Sequence, residues 1–204
     1  MKTFGLLMAA TALFTVSCSS PEKVEEEVVE INYSLDKENS TIKWMGMMSP
    51  EYFHTGTVSL TEGSITMTNG ELTSGSFVVD MSTITNTDLV EEKGNYLEGH
   101  LMGTMVDEDH PENMFFQVPK YPTVKVTLGE YKDGMLTTTL DILGQKVTQD
   151  VKANITTDDN GAKITGKFKF DFTPLNIPGL QANPDTGEGI SPMVEFDINI
   201  VLTK

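Results

Sequence analysis

Apolar and polar residues alternate along most of the chain from Ile31 to the end. Ile42 and Trp44 are flanked by Thr41 and Lys43, and Phe77, Val79 and Met81 enclose Val78 and Asp80. Val124, Val126 and Leu128 alternate with Lys125 and Thr127. Phe168, Phe170 and Phe172 alternate with Lys167, Lys169 and Asp171. The last run sets Val194, Phe196, Ile198, Ile200 and Leu202 against Glu195, Asp197 and Asn199. A period of two with one apolar face predicts antiparallel strands that are half buried. Thr-Asn-Gly at 68–70, Lys-Asp-Gly at 132–134 and Asp-Asp-Asn-Gly at 158–161 supply the turns between them. About eight strands joined in this way predict a sandwich or an up-and-down barrel, and a barrel removes the exposed edges.

Two stretches break the alternation. Residues 86–122 are long and irregular, and Leu89-Val90-Glu91-Glu92 and Tyr96 to Leu101 predict short helical turns there. Residues 174–191, rich in Pro and Gly, read as a long loop before the last strand. Loops of this length in a compact domain are usually functional or mobile.

The first thirty residues follow another pattern. Met1-Lys2 and the apolar run Phe4 to Val16 resemble a signal peptide over residues 1–17. The run is too short to span a bilayer, which takes roughly 20 residues. It ends at Thr15-Val16-Ser17-Cys18, which resembles a lipobox, with Thr15 in place of the usual Leu. Cys18 is the only cysteine, so the expectation is a lipidated Cys18 and no internal disulfide. Several acyl chains at roughly 0.8 kcal/mol per buried CH₂ would anchor the protein stably. Residues 18–30 then read as the lipidated cysteine and an acidic tether, too poor in large apolar residues to form a core. A sharper reading of that acidic stretch is a surface-export signal. The expected location is the cell envelope, on the periplasmic or the surface face of the outer membrane.

Charge narrows the partners. Fourteen basic residues, all Lys, stand against 30 acidic ones, for a net charge of −16. That balance argues against nucleic acid, which is bound through basic patches and the Arg fork. It also argues against docking to anionic headgroups. No Gly-x-Ser-x-Gly elbow, P-loop or dinucleotide fingerprint is present, so no enzyme is expected. His54, His100 and His110 are not spaced as metal-ligand pairs, and no metal or other cofactor is expected. Twelve methionines suit an adaptable apolar surface better than a soft-metal site.

The order of motifs resembles the YceI-like family. Tyr33-Ser-Leu-Asp36 with Ser40 to Trp44 resembles its opening strand, and His54-Thr-Gly-Thr57 its next motif. Gly75 to Ser82 with Ile84, Leu97-Glu-Gly-His-Leu101, Phe115-Phe116 and Tyr121-Pro122 follow in the family's order. Leu140 to Gln145, Phe168-Lys-Phe170 and Ser191 to Leu202 complete it. The resemblance covers residues 31–204. The segment 102–114 and the loop 175–190 depart from the family pattern.

The resemblance implies an all-β domain, an eight-stranded antiparallel lipocalin-like β-barrel. It also implies an apolar interior that holds a long-chain isoprenoid, such as an isoprenoid quinone, or a similar amphiphilic lipid. The expected function is binding, sequestration or transport of that lipid by a membrane-anchored lipoprotein. The expected wall is Trp44, Phe77, Val79, Met81, Val126, Phe168, Phe170, Phe172, Phe196 and Ile198. His54 and His100 match family positions and read either as polar contacts at the pocket or its mouth, or as structural hydrogen bonds. Periodicity alone does not separate this reading from a structural or interaction barrel with a filled core, because eight strands suit either. The expected partners are the lipid and a membrane reached through the acyl anchor, with a homodimer left open.

Overall fold

The computed structural model describes residues 27–49, 51–105, 114–181 and 189–204. The signal run, Cys18, most of the acidic tether and His110 lie outside the described residues. Among the described residues nine antiparallel strands form one sheet: β1 (Glu30–Ser49), β2 (Tyr52–Thr68), β3 (Glu71–Asn86), β4 (Thr123–Lys132), β5 (Met135–Ile142), β6 (Gln145–Lys152), β7 (Asn154–Thr157), β8 (Gly161–Asp171) and β9 (Met193–Thr203). Their order across the sheet is β6-β5-β4-β3-β2-β1-β9-β8-β7. Among the described residues one helix, α1 (Glu91–Met102), follows β3, and a single 3-10 turn at Thr173–Leu175 follows β8.

The hairpins arise where the turn residues stand. Asn69-Gly70 joins β2 to β3 and Asp133-Gly134 joins β4 to β5, with positive φ at all four residues. That conformation twists a two-residue turn in the sense the strands require. Before β8, the Asp158 carboxylate accepts the backbone N–H groups of Asn160 and Gly161 at 2.7 and 3.0 Å. Leu143-Gly144 makes the same kind of turn between β5 and β6 without an Asn or Asp.

The first three strands have 20, 17 and 16 residues, well beyond the usual strand length of about five or six. Bulges let them coil around the core. In β1 the register slips between Asp36 and Thr41 against β9. The Asp36 side chain accepts the N–H and the amide of Asn39, and the Ser40 hydroxyl stands in for a backbone partner by accepting the Val201 N–H at 2.9 Å. In β3 the Asp80 carboxylate accepts the Ser82 N–H, while the Thr83 hydroxyl accepts the Ser59 N–H. Each slip reverses which residues face inward. Tyr33 is buried before the first bulge and Ile42 after it. Met81 is buried before the second and Ile84 after it.

The strand count differs from the expected eight because one extended run changes partners. β6 pairs with β5 and β7 pairs with β8, yet only Ala153 separates them. The Ala153 N–H donates to Gly134 O at 3.0 Å, which breaks the run. The two edges of the sheet are therefore consecutive in sequence, and they meet. A Cβ on Gly166 of β8 would stand 2.7 Å from Lys152 O of β6. Further along the seam the Gln149 side chain replaces a strand: its amide donates to Lys169 O, and its carbonyl accepts the Asp171 N–H, both at 2.9 Å. This curled sheet, a barrel whose last gap is bridged by side chains, encloses the core.

The two ends of the barrel are built differently. The tight hairpins β2–β3 and β4–β5 lie at one end, where Ile65, Ile164 and Leu202 are almost wholly buried and form a packed floor. The other end carries the β1–β2 and β5–β6 hairpins, α1, the 3-10 turn and the connections to them. The expected helical turns are thus a twelve-residue helix. It ends at Gly103 in the left-handed conformation, whose N–H donates to His100 O while the Thr104 N–H donates to Gly99 O.

Candidate ligand cavity

The inward faces of the strands do not meet at the centre. They line a cavity of about 200 Å³. Protein interiors are close-packed, with few voids larger than a water molecule, and an apolar void of ~150 Å³ is enough to hold benzene. The core is therefore not filled. All ten apolar residues expected on the wall are there: Trp44, Phe77, Val79, Met81, Val126, Phe168, Phe170, Phe172, Phe196 and Ile198. They reach it from β1, β3, β4, β8 and β9, with Phe172 just past β8. The Phe172 N–H donates to Pro192 O, which holds its ring in line with those of Phe168 and Phe170.

Aromatic rings crowd the half of the cavity nearest α1. Phe168 and Phe196 lie 6.0 Å apart, Phe170 and Phe172 5.2 Å, and Phe116 and Phe172 6.3 Å, tilted or edge-on. The polar content of the wall is small. The Trp44 indole N–H is already committed to Thr57 O at 3.1 Å. Among the described residues Thr138 is the one hydroxyl of the lining, and it donates to Leu136 O at 3.3 Å. Two glycines shape the wall next to Trp44. Gly56 lets the indole lie flat, since a Cβ there would stand 2.2 Å from the ring. A Cβ on Gly46 would meet nothing within 4 Å, so this strand position opens onto free space.

A model of the YceI-like domain matches residues 33–202. The chain belongs to the YceI-like family. The polyisoprenoid binding domain from Saccharophagus degradans, implicated in plant cell wall breakdown, superposes with a TM-score of 0.57 at 14% identity. The match covers 84% of this chain and 97% of that one. BcnA of Burkholderia cenocepacia superposes with a TM-score of 0.62 at 13% identity, covering 82% of this chain and 98% of that one. At such identities the likeness is one of fold. No curated protein sequence matches the chain significantly.

Much of the YceI-like cavity wall was not expected from the sequence. Val58 and Leu60 of β2, and Leu136, Leu140 and Ile142 of β5, line it as well. The β5 run Leu136-x-Thr138-x-Leu140-x-Ile142 has the right period, but its central inward residue is polar. Leu101, Phe116, Leu180 and Ile190 close the cavity at the helix end from irregular segments, where no periodicity marks them.

His54 and His100 lie at the helix end of the YceI-like barrel but do not line its cavity. His54 Nδ1 is 2.9 Å from Asp88 Oδ2, in contact with the connection from β3 to α1. Asp88 also accepts the Thr55 N–H at 2.8 Å and the Asn86 amide at 2.7 Å. Glu98 of α1 accepts the Asn86 N–H at 2.7 Å, which ties the helix to the same cluster. His100 packs edge-on against Phe115, with ring centroids 4.4 Å apart. His54 is thus a structural hydrogen-bonding group that docks α1. Among the described residues no group of three or more His, Cys, Asp or Glu is placed to hold a metal ion.

This docking depends on pH. Burial opposes ionisation of Asp88, but hydrogen bonds from His54, the Thr55 N–H and Asn86 outweigh it and hold the carboxyl below the usual carboxylate range. A depressed folded-state value means that the stabilisation is complete above the unfolded value, about 3.9. It is lost as the pH falls from there through the folded value. Below about pH 4, α1 is expected to loosen before the barrel does. Hydrogen exchange by residue checks this: α1 amides should lose protection between pH 5 and pH 3 while β8 and β9 keep theirs. Equal protection of α1 at both values contradicts it.

Proposed function

We propose that this YceI-like domain binds a long-chain isoprenoid, such as an isoprenoid quinone, or a similar amphiphilic lipid, and sequesters or carries it. The observation that bears most weight is the cavity itself: about 200 Å³ of unfilled space walled almost wholly by hydrocarbon. A lipid site needs a dry, apolar enclosure with few polar groups. The Saccharophagus degradans neighbour of the same fold, described as polyisoprenoid binding, supports the reading. The cavity weighs against a structural barrel with a filled core. Its present volume exceeds that for one benzene by little, so a long chain requires side chains of the wall to move outward.

Trp44 reports on the site, being the only tryptophan and part of the wall. Titration with a polyprenol or an isoprenoid quinone should change its emission saturably. An unresponsive emission together with no binding by calorimetry overturns the reading.

The anchor is the second part of the proposal. Cys18 follows an apolar run of signal-peptide length and is the only cysteine. Acylated there, the domain would stay at a membrane of the cell envelope, beside a source or recipient of lipid. A Cys18→Ala protein is expected to lose its acyl chains and to leave the membrane fraction. Acylation or full membrane retention without Cys18 contradicts this part and leaves the cavity reading untouched.

A further inference from the structure

We infer that the tip of the β1–β2 hairpin is a membrane-docking element that seats in the interfacial layer of a zwitterionic lipid bilayer. The inference goes beyond the lipid-binding reading and does not require it. β9 stays paired with β1 only as far as Met45, and β3 with β2 only as far as Gly56. The hairpin beyond them projects from the barrel as a two-stranded ribbon. At its base the Ser191 N–H donates to Met47 O and the Thr87 N–H to Thr55 O. Near its tip the Ser49 hydroxyl oxygen accepts the N–H groups of Glu51 and Tyr52 at 3.3 and 3.1 Å, which ties the ends of the two strands together. Among the described residues, exposed large apolar side chains concentrate here: Met48, Tyr52 and Phe53 are 45%, 56% and 45% exposed. Of the others, Val28 and Val29 lie between Glu27 and Glu30, and Val90, Tyr96 and Met135 are scattered along the sequence.

The tip is apolar on both sides. Successive residues of a strand point to opposite faces. Tyr52 shares a face with His54, whose ring it meets edge-on at 5.4 Å, and His54 is paired with Gly46 of the cavity wall. Phe53 points the other way and is paired with the half-buried Met47. A second protein surface would cover one side of such a ribbon and leave the other in water, whereas a bilayer surrounds both. Charge agrees with a bilayer. Glu51 is the only Asp, Glu or Lys between Lys43 and Glu62, in a chain of net charge −16. Helix α1 and the connection to it, docked at the base of the ribbon through His54, carry Asp88, Glu91, Glu92 and Glu98 against Lys93. That surplus disfavours anionic headgroups. The backbone limits depth: a two-stranded ribbon presents N–H and C=O groups along its outer edges, and hydrocarbon cannot satisfy them. The tip therefore reaches the headgroup boundary, about 5–10 Å deep, where Tyr52 keeps its hydroxyl wet while its ring and the adaptable Met48 are buried. Such docking is weak and reversible, as it is even for a single acyl chain, so the Cys18→Ala protein still leaves a washed membrane fraction.

The test uses that full-length Cys18→Ala protein, in which no acyl chain contributes and a new cysteine is the only thiol. A nitrobenzoxadiazole label is placed on Glu51→Cys at the tip or, for reference, on Glu71→Cys at the opposite end of the barrel. With phosphatidylcholine vesicles the tip label is expected to brighten and shift to the blue, while the reference label stays as in water. Met48→Ser combined with Phe53→Ser should lower the partition into vesicles, read by sedimentation, by about tenfold or more. Both side chains are exposed, so the melting temperature should stay within about 2 °C. Mixing phosphatidylglycerol into the vesicles should weaken binding, and about 0.5 M salt should restore it. Absence of binding to phosphatidylcholine, undiminished binding by the double variant, or an equal response from the Glu71 label overturns the inference. Self-association that the double variant removes, without vesicle binding, assigns the tip to a second copy of the chain and overturns it too. Trp44 emission with added polyprenol keeps the two readings apart: a response there without vesicle binding sinks the docking alone.

Discussion

Gly46→Phe is expected to abolish lipid uptake while leaving the fold as stable as before or more so. Gly46 is an inward position of β1, paired with His54 of β2, and its own Cβ would touch nothing. A phenyl ring placed there enters the cavity instead of displacing protein atoms. The cavity is about 200 Å³, so one such ring takes a large share of it. A loss of affinity of at least a hundredfold, roughly 2.7 kcal/mol, is expected. Stability should move the other way. Glycine inside a strand costs about 0.5–1 kcal/mol in conformational entropy, and aromatic residues suit strands. Gly56→Ala is the informative contrast. Its Cβ would stand 2.0 Å from Thr85 O, a backbone atom that cannot step aside. That variant should melt lower through overpacking, by about 1–3 kcal/mol. Thermal melts and ligand titrations on both variants check the pair. Undiminished binding by Gly46→Phe contradicts the placement of the ligand.

Phe77→Ala is expected to have the largest effect on stability. The ring is almost wholly buried, lines the cavity and covers Gly63, whose Cβ would stand 2.1 Å from it. Removing a buried phenyl ring costs about 3–5 kcal/mol, because the surrounding structure relaxes only in part. Against a typical total of 5–15 kcal/mol this is a large fraction. For a domain of this size the melting temperature should fall by about 6–20 °C. Bound lipid should recover part of the loss, since a ligand stabilises the folded state in proportion to its saturation and the enlarged cavity still accepts a chain. A shift below about 2 °C contradicts the burial of Phe77.

The wall was legible where alternation runs unbroken. β3 from Phe77 to Met81, β8 with Phe172, and β9 from Val194 to Leu202 keep one phase, and their inward residues all reach the core or the cavity. Legibility fails at the bulges, because each slip exchanges the two faces. Tyr33 and Ile42 differ by an odd number of positions, as do Met81 and Ile84, yet all four are buried. Nothing in the hydrophobic pattern marks the Ser40 hydroxyl or the Thr83 hydroxyl as a substitute for a backbone partner. Helix α1 is obscured for a related reason. It carries Gly94 and Gly99 on its buried side and lacks a clear apolar stripe, so tertiary docking through Asn86, Asp88 and Glu98 sustains it. The residues that close the cavity, Leu101, Phe116, Leu180 and Ile190, come from segments with no period at all. The motif around His54 leaves two readings open, a polar contact at the pocket or its mouth and a structural hydrogen bond, and only the folded chain shows its partner, Asp88.

The central claim is that the barrel holds a lipid in its cavity. Native mass spectrometry of the protein purified from membranes under mild conditions tests this most directly, compared with the same sample after denaturation. Denaturation leaves acyl chains on Cys18 attached, so the difference between the two masses isolates whatever is held without a covalent bond. The account predicts a difference equal to one long-chain lipid, recovered in the organic extract and absent from Gly46→Phe. Identical native and denatured masses in repeated preparations, with no uptake of added polyprenol or quinone, would contradict it.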